Sequence, residues 1–162
     1  MKAYLAGPDV FRPDALLWAE QARALCAASG VEALVPLDGD ACTPGAIYAQ
    51  NIALIAQADV VLANLNAFRG AEPDSGTSFE VGYAVALGKP VIGYVSEAGC
   101  SATRVARWQG CELAQHGDRS VDRDGFLVEN FGLPLNLMLA VPAKIVVGGL
   151  SEALAALGEE AL

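Results

Sequence analysis

The sequence predicts an α/β fold, a doubly wound five-stranded parallel sheet with helices on both faces. Three observations carry this expectation. Short apolar runs alternate five times with longer segments of helical spacing. The runs are continuously apolar, as in strands buried on both faces, and do not alternate apolar with polar. Gly and Pro stand between the runs, at Gly7-Pro8, Gly30, Pro44 and Gly88, where they stop one element and admit the next.

Lys2–Ala6 is the first strand, stopped by Gly7-Pro8. Residues 13–28 follow as a helix, with Leu16, Leu17, Ala19, Ala22, Ala24 and Leu25 at roughly helical spacing, Pro13 in the first turn and Gly30 beyond the end. Residues 31–36 (VEALVP) form the second strand, and Thr43-Pro44 opens a helix running to Ala58. Residues 59–64 (DVVLAN) are the third strand. A polar loop over 66–75 leads to a helix over 76–88 and a fourth strand over 90–95. The next 35 or so residues are richer in Gly, Arg and Asp. They are expected to hold a short helix over 104–108 and a long loop over 110–130, a length usual for functional loops. A helix over 134–140, a fifth strand over 144–147 and a helix over 151–157 complete one domain spanning 1–162. Five strands in a chain of this size favour the flavodoxin-like order 2-1-3-4-5. Ligands then bind beyond the carboxyl ends of strands 1 and 3, where the winding reverses.

Ten Lys and Arg face 19 Asp and Glu, a net charge of −9. That balance argues against a nucleic-acid polymer as partner, since phosphate binding needs clustered cations. Apolar runs stay well under the ~20 residues of a membrane span. The first ten residues lack the pattern of a signal peptide, so a cytoplasmic protein is expected. Cys26, Cys42, Cys100 and Cys111 contain no C-x-x-C, and His116 is the sole histidine, so neither a metal site nor a disulfide framework is expected. Neither G-x-G-x-x-G nor G-x-x-x-x-G-K-[ST] occurs, which disfavours dinucleotides and P-loop phosphates; no cofactor is expected.

At the reversal point, Gly7 allows close backbone approach, or simply makes a turn with Pro8. After strand 3, Asp74 and Glu80 lie in EPDSGTSFE, beside two glycines and a helix start. Two readings are open. Thr77-x-x-Glu80 matches a capping box, and Asp74 can cap a turn. Alternatively, Glu80 stays ionised in the first helical turn, near a second carboxyl that holds a proton, the pairing that glycosyl transfer requires. Asn51 falls on the apolar stripe Ile47, Leu54, Ile55 and Ala58, either as a satisfied core amide or as a pocket residue. Arg69 is the one cation close to the motif, and as an isolated residue it reads as solvated loop.

Four segments together resemble the nucleoside 2-deoxyribosyltransferase family: YLAGPDVF (residues 4–11), VPLDGD (35–40), the stretch 58–94 including EPDSGTSFEVG, and FGLPLNLML (131–139). The resemblance runs from Tyr4 to about Ala140. It implies exchange of 2-deoxyribose between nucleobases through a covalent ester on Glu80. Asp74 would handle the base's proton, and Tyr4 would orient the nucleophile. It further implies that Asp38 and Asp40 lie in a base-contacting loop, that Phe11 walls the base, and that Asn51 stands where some members use Asp to hold the sugar. Asn136 and Met138 match residues that enter a neighbouring subunit's site, so a homo-oligomer is implied. Deoxynucleosides and nucleobases would be the small-molecule partners. A hydrolase cleaving the N-glycosidic bond of nucleosides or their monophosphates on the same scaffold is the alternative, and a non-enzymatic nucleoside-binding domain a third.

Overall fold

The computed structural model describes residues 1–160; residues 161 and 162, part of the span expected for the domain, lie outside the described residues. The elements in chain order are β1 (Lys2–Ala6), α1 (Ala15–Ala28), β2 (Glu32–Leu34), α2 (Pro44–Gln57), β3 (Val60–Asn64), α3 (Ser75–Ala86) and β4 (Val91–Val95). They continue with α4 (Ser101–Gln109), β5 (Ala114–His116), β6 (Arg119–Val121), α5 (Leu137–Ala140), β7 (Lys144–Val147) and α6 (Leu150–Glu160). The main sheet is parallel throughout, in the order β2-β1-β3-β4-β7. Since β5 and β6 form a separate two-stranded sheet, β7 is the fifth strand of the main sheet, and the expected order 2-1-3-4-5 is the order observed.

Side-chain alternation along the strands sorts the core into two layers. Ala3, Leu5, Val60, Leu62 and Ile92 pack with Ala19, Ala22 and Cys26 of α1 and with Ala153, Leu154 and Leu157 of α6. Tyr4, Ala6, Val61, Ala63, Val91 and Val95 face the other way, onto Ile55 of α2 and Val81 and Ala84 of α3. A residue on an even position of β1 is thereby committed to the α2–α3 side. Tyr4 is fully buried there.

Several boundaries differ from the sequence expectation. The chain after β1 first makes a 3-10 turn over Pro8–Phe11, and α1 starts only at Ala15. The α4 helix is longer than expected and ends on Gly110, whose φ of 74° is the left-handed conformation glycine accepts without strain. The helix expected over 134–140 shortens to Leu137–Ala140, because Asn136 caps it by accepting from the Met138 N–H at 3.0 Å. The largest correction concerns 110–130, expected as a loop, which contains the antiparallel hairpin β5–β6. His116 pairs with Arg119 across the two-residue turn Gly117-Asp118, with Gly117 at φ 66°. The three residues of β5 are all exposed, so no apolar alternation marked the strand; the Gly-Asp pair was the available signal.

The carboxyl edge of the sheet is tied together by polar side chains. Asn64 Nδ2 donates to buried Asp9 at 2.8 Å, Asn66 Nδ2 donates to Asn64 Oδ1 at 2.7 Å, and the Ser96 N–H donates to Asn66 Oδ1 at 2.8 Å. This chain links the ends of β1, β3 and β4. Gly7 is required for space here. Its backbone is extended, but a Cβ would sit 2.8 Å from Asn64 Cβ and 2.9 Å from Asp9 Oδ2.

Candidate active site

At this edge the ends of β1 and β2, helix α2 and the first turns of α3 enclose a cavity of about 440 Å³, within the usual size of small-ligand sites. Gly7, Phe11, Asn51, Asp74 and Glu80 all line it. The structure thus gathers five of the sequence-derived residues, from three separated segments, around one space.

Helix α3 places both carboxyls. Asp74 is its N-cap: Oδ2 accepts from the Thr77 N–H at 2.9 Å and from Thr77 Oγ1 at 3.1 Å. Of the readings open for this motif, the Thr77–Glu80 capping box is not formed, because the helix begins at Ser75 and Asp74 takes the capping role. Both bonds fall on Oδ2, so Oδ1 lies outside the cap. Inward-facing Thr77, Val81 and Ala84 recur at helical spacing, and Glu80 borders the same stripe. That register sets Glu80 above Tyr4, whose hydroxyl donates to Glu80 Oε1 at 2.6 Å.

The electrostatics of Glu80 differ from the sequence expectation. Glu80 is the sixth residue of α3, beyond the first turn, where the helix dipole acts weakly. Burial dominates and pushes its pKa up to about 7. Hydrogen bonds from Tyr4 and Asn51 pull the value down in part, and the Asp74 charge raises it further. Tyr4 is itself raised, first by burial and then by the neighbouring Glu80, so its phenol remains a donor. Asn51 Oδ1 is buried and has no hydrogen-bond partner among the described residues. Asn51 thus lines the cavity with its amide half-satisfied, bonded toward Glu80 and unpaired at Oδ1.

The remaining residues fall elsewhere in the single chain. Asp38 accepts from the Val35 N–H at 2.8 Å and is ion-paired with Arg23, outside the cavity lining. Asp40 is exposed and also outside the lining, while Gly39 between them lines it. Asn136 donates to Glu129 at 3.1 Å, and Met138 is 73% exposed; neither reaches this chain's cavity. Sequence reasoning passed over Gln50, which lines the cavity and donates to the Pro36 carbonyl at 3.4 Å. Its signal was present, since Gln50 lies three residues after Ile47 on the stripe that drew attention to Asn51.

These features define a class: a flavodoxin-like α/β domain with a tyrosine-bound glutamate and a second carboxyl at the point where the winding reverses. The chain belongs to the nucleoside 2-deoxyribosyltransferase family, whose model matches residues 3–138. It is 36% identical to a 2-desoxiribosyltransferase from Leishmania mexicana, with a TM-score of 0.81 and 99% of each chain covered. An uncharacterised protein of Schizosaccharomyces pombe is 32% identical over 154 residues, covering 83% of this chain and 73% of its own length. A CMP N-glycosidase from Clostridium botulinum shares the fold, at 16% identity and a TM-score of 0.56.

Proposed function

We propose that this protein exchanges 2-deoxyribose between nucleobases by double displacement on Glu80. The observation that carries the reading is the Tyr4–Glu80 hydrogen bond of 2.6 Å on the wall of a cavity that Asp74 also lines. Tyr4 holds Oε1, which leaves Oε2 to attack the anomeric carbon of a deoxynucleoside. The N-glycosidic bond breaks and its electron pair leaves with the base; in the reacting form the one proton shared by the two carboxyls sits on Asp74, which passes it to that base. A second base then attacks the same carbon, loses its proton to Asp74, and frees the Glu80 carboxylate. Asn51 Oδ1, the acceptor without a partner, is suited to a hydroxyl of the sugar. Exposed Met138 and Phe79, the latter on the helix that carries Glu80, support a second copy closing the site, with Asn136 and Met138 reaching across.

The test is a transfer assay over a matrix of donors and acceptors with a no-acceptor control, beginning with deoxyinosine and adenine. New deoxynucleoside is expected only when acceptor base is present. Free deoxyribose formed at the same rate with and without acceptor would point to the hydrolase instead, and no product from any pair would remove both. Specific activity that stays constant on dilution to the monomer would argue against a shared site.

The nucleophile must be ionised. With the Glu80 pKa near 7, kcat/KM is expected to fall about tenfold per pH unit below that value. Tyr4→Phe removes a bond that favours the ionised form and should move this limb to higher pH. A limb in the ordinary carboxylate range, near 4.5, would contradict the assignment.

A further inference from the structure

Phe11 lines the cavity yet is 55% exposed, so packing alone does not fix its ring. Its ring is stacked on Phe68, with centroids 5.5 Å apart and planes 15° from parallel. The Arg69 guanidinium lies over both rings, 4.6 Å from the Phe68 centroid and 5.3 Å from that of Phe11. Nearby cations are spent on carboxylates, Arg12 on Asp14 and Arg23 on Asp38. No ion pair or hydrogen bond among the described residues engages the Arg69 side chain, so ring faces are its observed partners. Arg69 is also the one non-glycine residue with positive φ among the described residues, at 55°. A residue with a Cβ is unfavourable there, and the conformation persists only where its surroundings hold it. The surroundings do so. The Phe68 N–H donates to the Glu72 carbonyl at 3.0 Å, and Arg104 donates to the carbonyls of Ala71 and Leu65, both at 3.1 Å.

We propose that Phe68 and Arg69 are positioning residues that hold Phe11 as a preformed stacking platform for the nucleobase. The proposal rests on the reading of the cavity as a nucleoside site and adds what fixes its aromatic wall. Neither residue is assigned a contact with substrate. A platform of this kind recognises a flat heterocycle by its face. A purine overlaps more ring than a pyrimidine, so it depends more on the platform. A guanidinium lying on rings is engaged as a cation–π partner, which sets this role apart from capture of a phosphate.

The test separates the side chain from the backbone. Arg69→Gly removes the guanidinium while suiting the left-handed backbone, and Arg69→Ala keeps the unfavourable backbone. Equilibrium binding of adenine and cytosine to the full-length protein needs no turnover. Arg69→Gly is expected to weaken adenine binding about three- to tenfold, with a smaller loss for cytosine and kcat within about twofold of wild type. Phe68→Ala should resemble it, and the double variant should lose less than the two single losses combined, because one stack is being removed. Arg69→Lys should fall between wild type and Arg69→Gly. Adenine binding by Arg69→Gly equal to that of wild type would leave the residue only a turn-forming role and overturn the proposal. A loss confined to a deoxynucleoside 5′-monophosphate would overturn it in favour of phosphate binding. Wild-type protein that binds no base would remove both the platform and the nucleoside reading beneath it.

Discussion

Glu80→Gln is expected to lower turnover by on the order of 10⁴-fold or more, the scale seen when a nucleophile is removed. The same change should raise thermal stability above pH 7. Burial shifts the folded-state pKa from 4.5 to about 7. Below pH 4.5 the carboxyl is protonated in both folded and unfolded chains, and Glu80 costs nothing extra. Between 4.5 and 7 the unfolded chain releases the proton first, so stability falls as pH rises. Above 7 the full penalty is present, on the order of 3 kcal/mol at 1.36 kcal/mol per pKa unit. A glutamine is neutral at every pH, and its carbonyl still accepts from the Tyr4 hydroxyl. Melting at pH 8 should therefore rise by roughly 5–10 °C, and the gain should vanish below pH 4.5. Normal turnover would refute the nucleophile assignment. An unchanged or lower melting temperature at pH 8 would refute the account of a buried, costly charge.

The second large effect separates the helix cap that Asp74 forms from the proton transfer proposed for it. Asparagine caps a helix about as well as aspartate but has no acidic proton to give. Asp74→Asn should keep stability nearly unchanged while cutting turnover by about 10²–10⁴-fold, the usual contribution of a positioned acid–base group. Asp74→Ala should lose the same activity and, in addition, about 1 kcal/mol of stability, because the Thr77 N–H and hydroxyl lose their acceptor. Full activity in the asparagine variant would remove Asp74 from the chemistry. Equal melting temperatures for the two variants would show that the cap contributes nothing.

The legible parts of the sequence were those governed by local chemistry. Five continuous apolar runs fixed the number of parallel strands. The motif around Asp74 and Glu80 was visible because its carboxyls and glycines are close in sequence. The hairpin β5–β6 was missed because its β5 residues are exposed and carry no apolar pattern. The capping of α3 stayed open in the sequence because Thr77-x-x-Glu80 and Asp74-x-x-Thr77 are both valid local patterns three residues apart. Which one forms depends on where the incoming loop lets the helix start. Gln50 was passed over because its residue type drew no attention beside Asn51.

By itself the sequence determined the α/β architecture, the edge of the sheet that carries the cavity, and the family motifs that identify the chain. Those follow from periodicity, turn chemistry and residue type, all of them local. The tertiary structure decided the partnership of Tyr4 with Glu80, 76 residues apart, and the ionisation behaviour of that glutamate. It also decided the stacking of Arg69 and Phe68 on Phe11. Each depends on burial or on contact between distant segments. A carboxyl near a helix start reads as ionised in sequence, and only the packing around it shows that losing water outweighs the helix dipole.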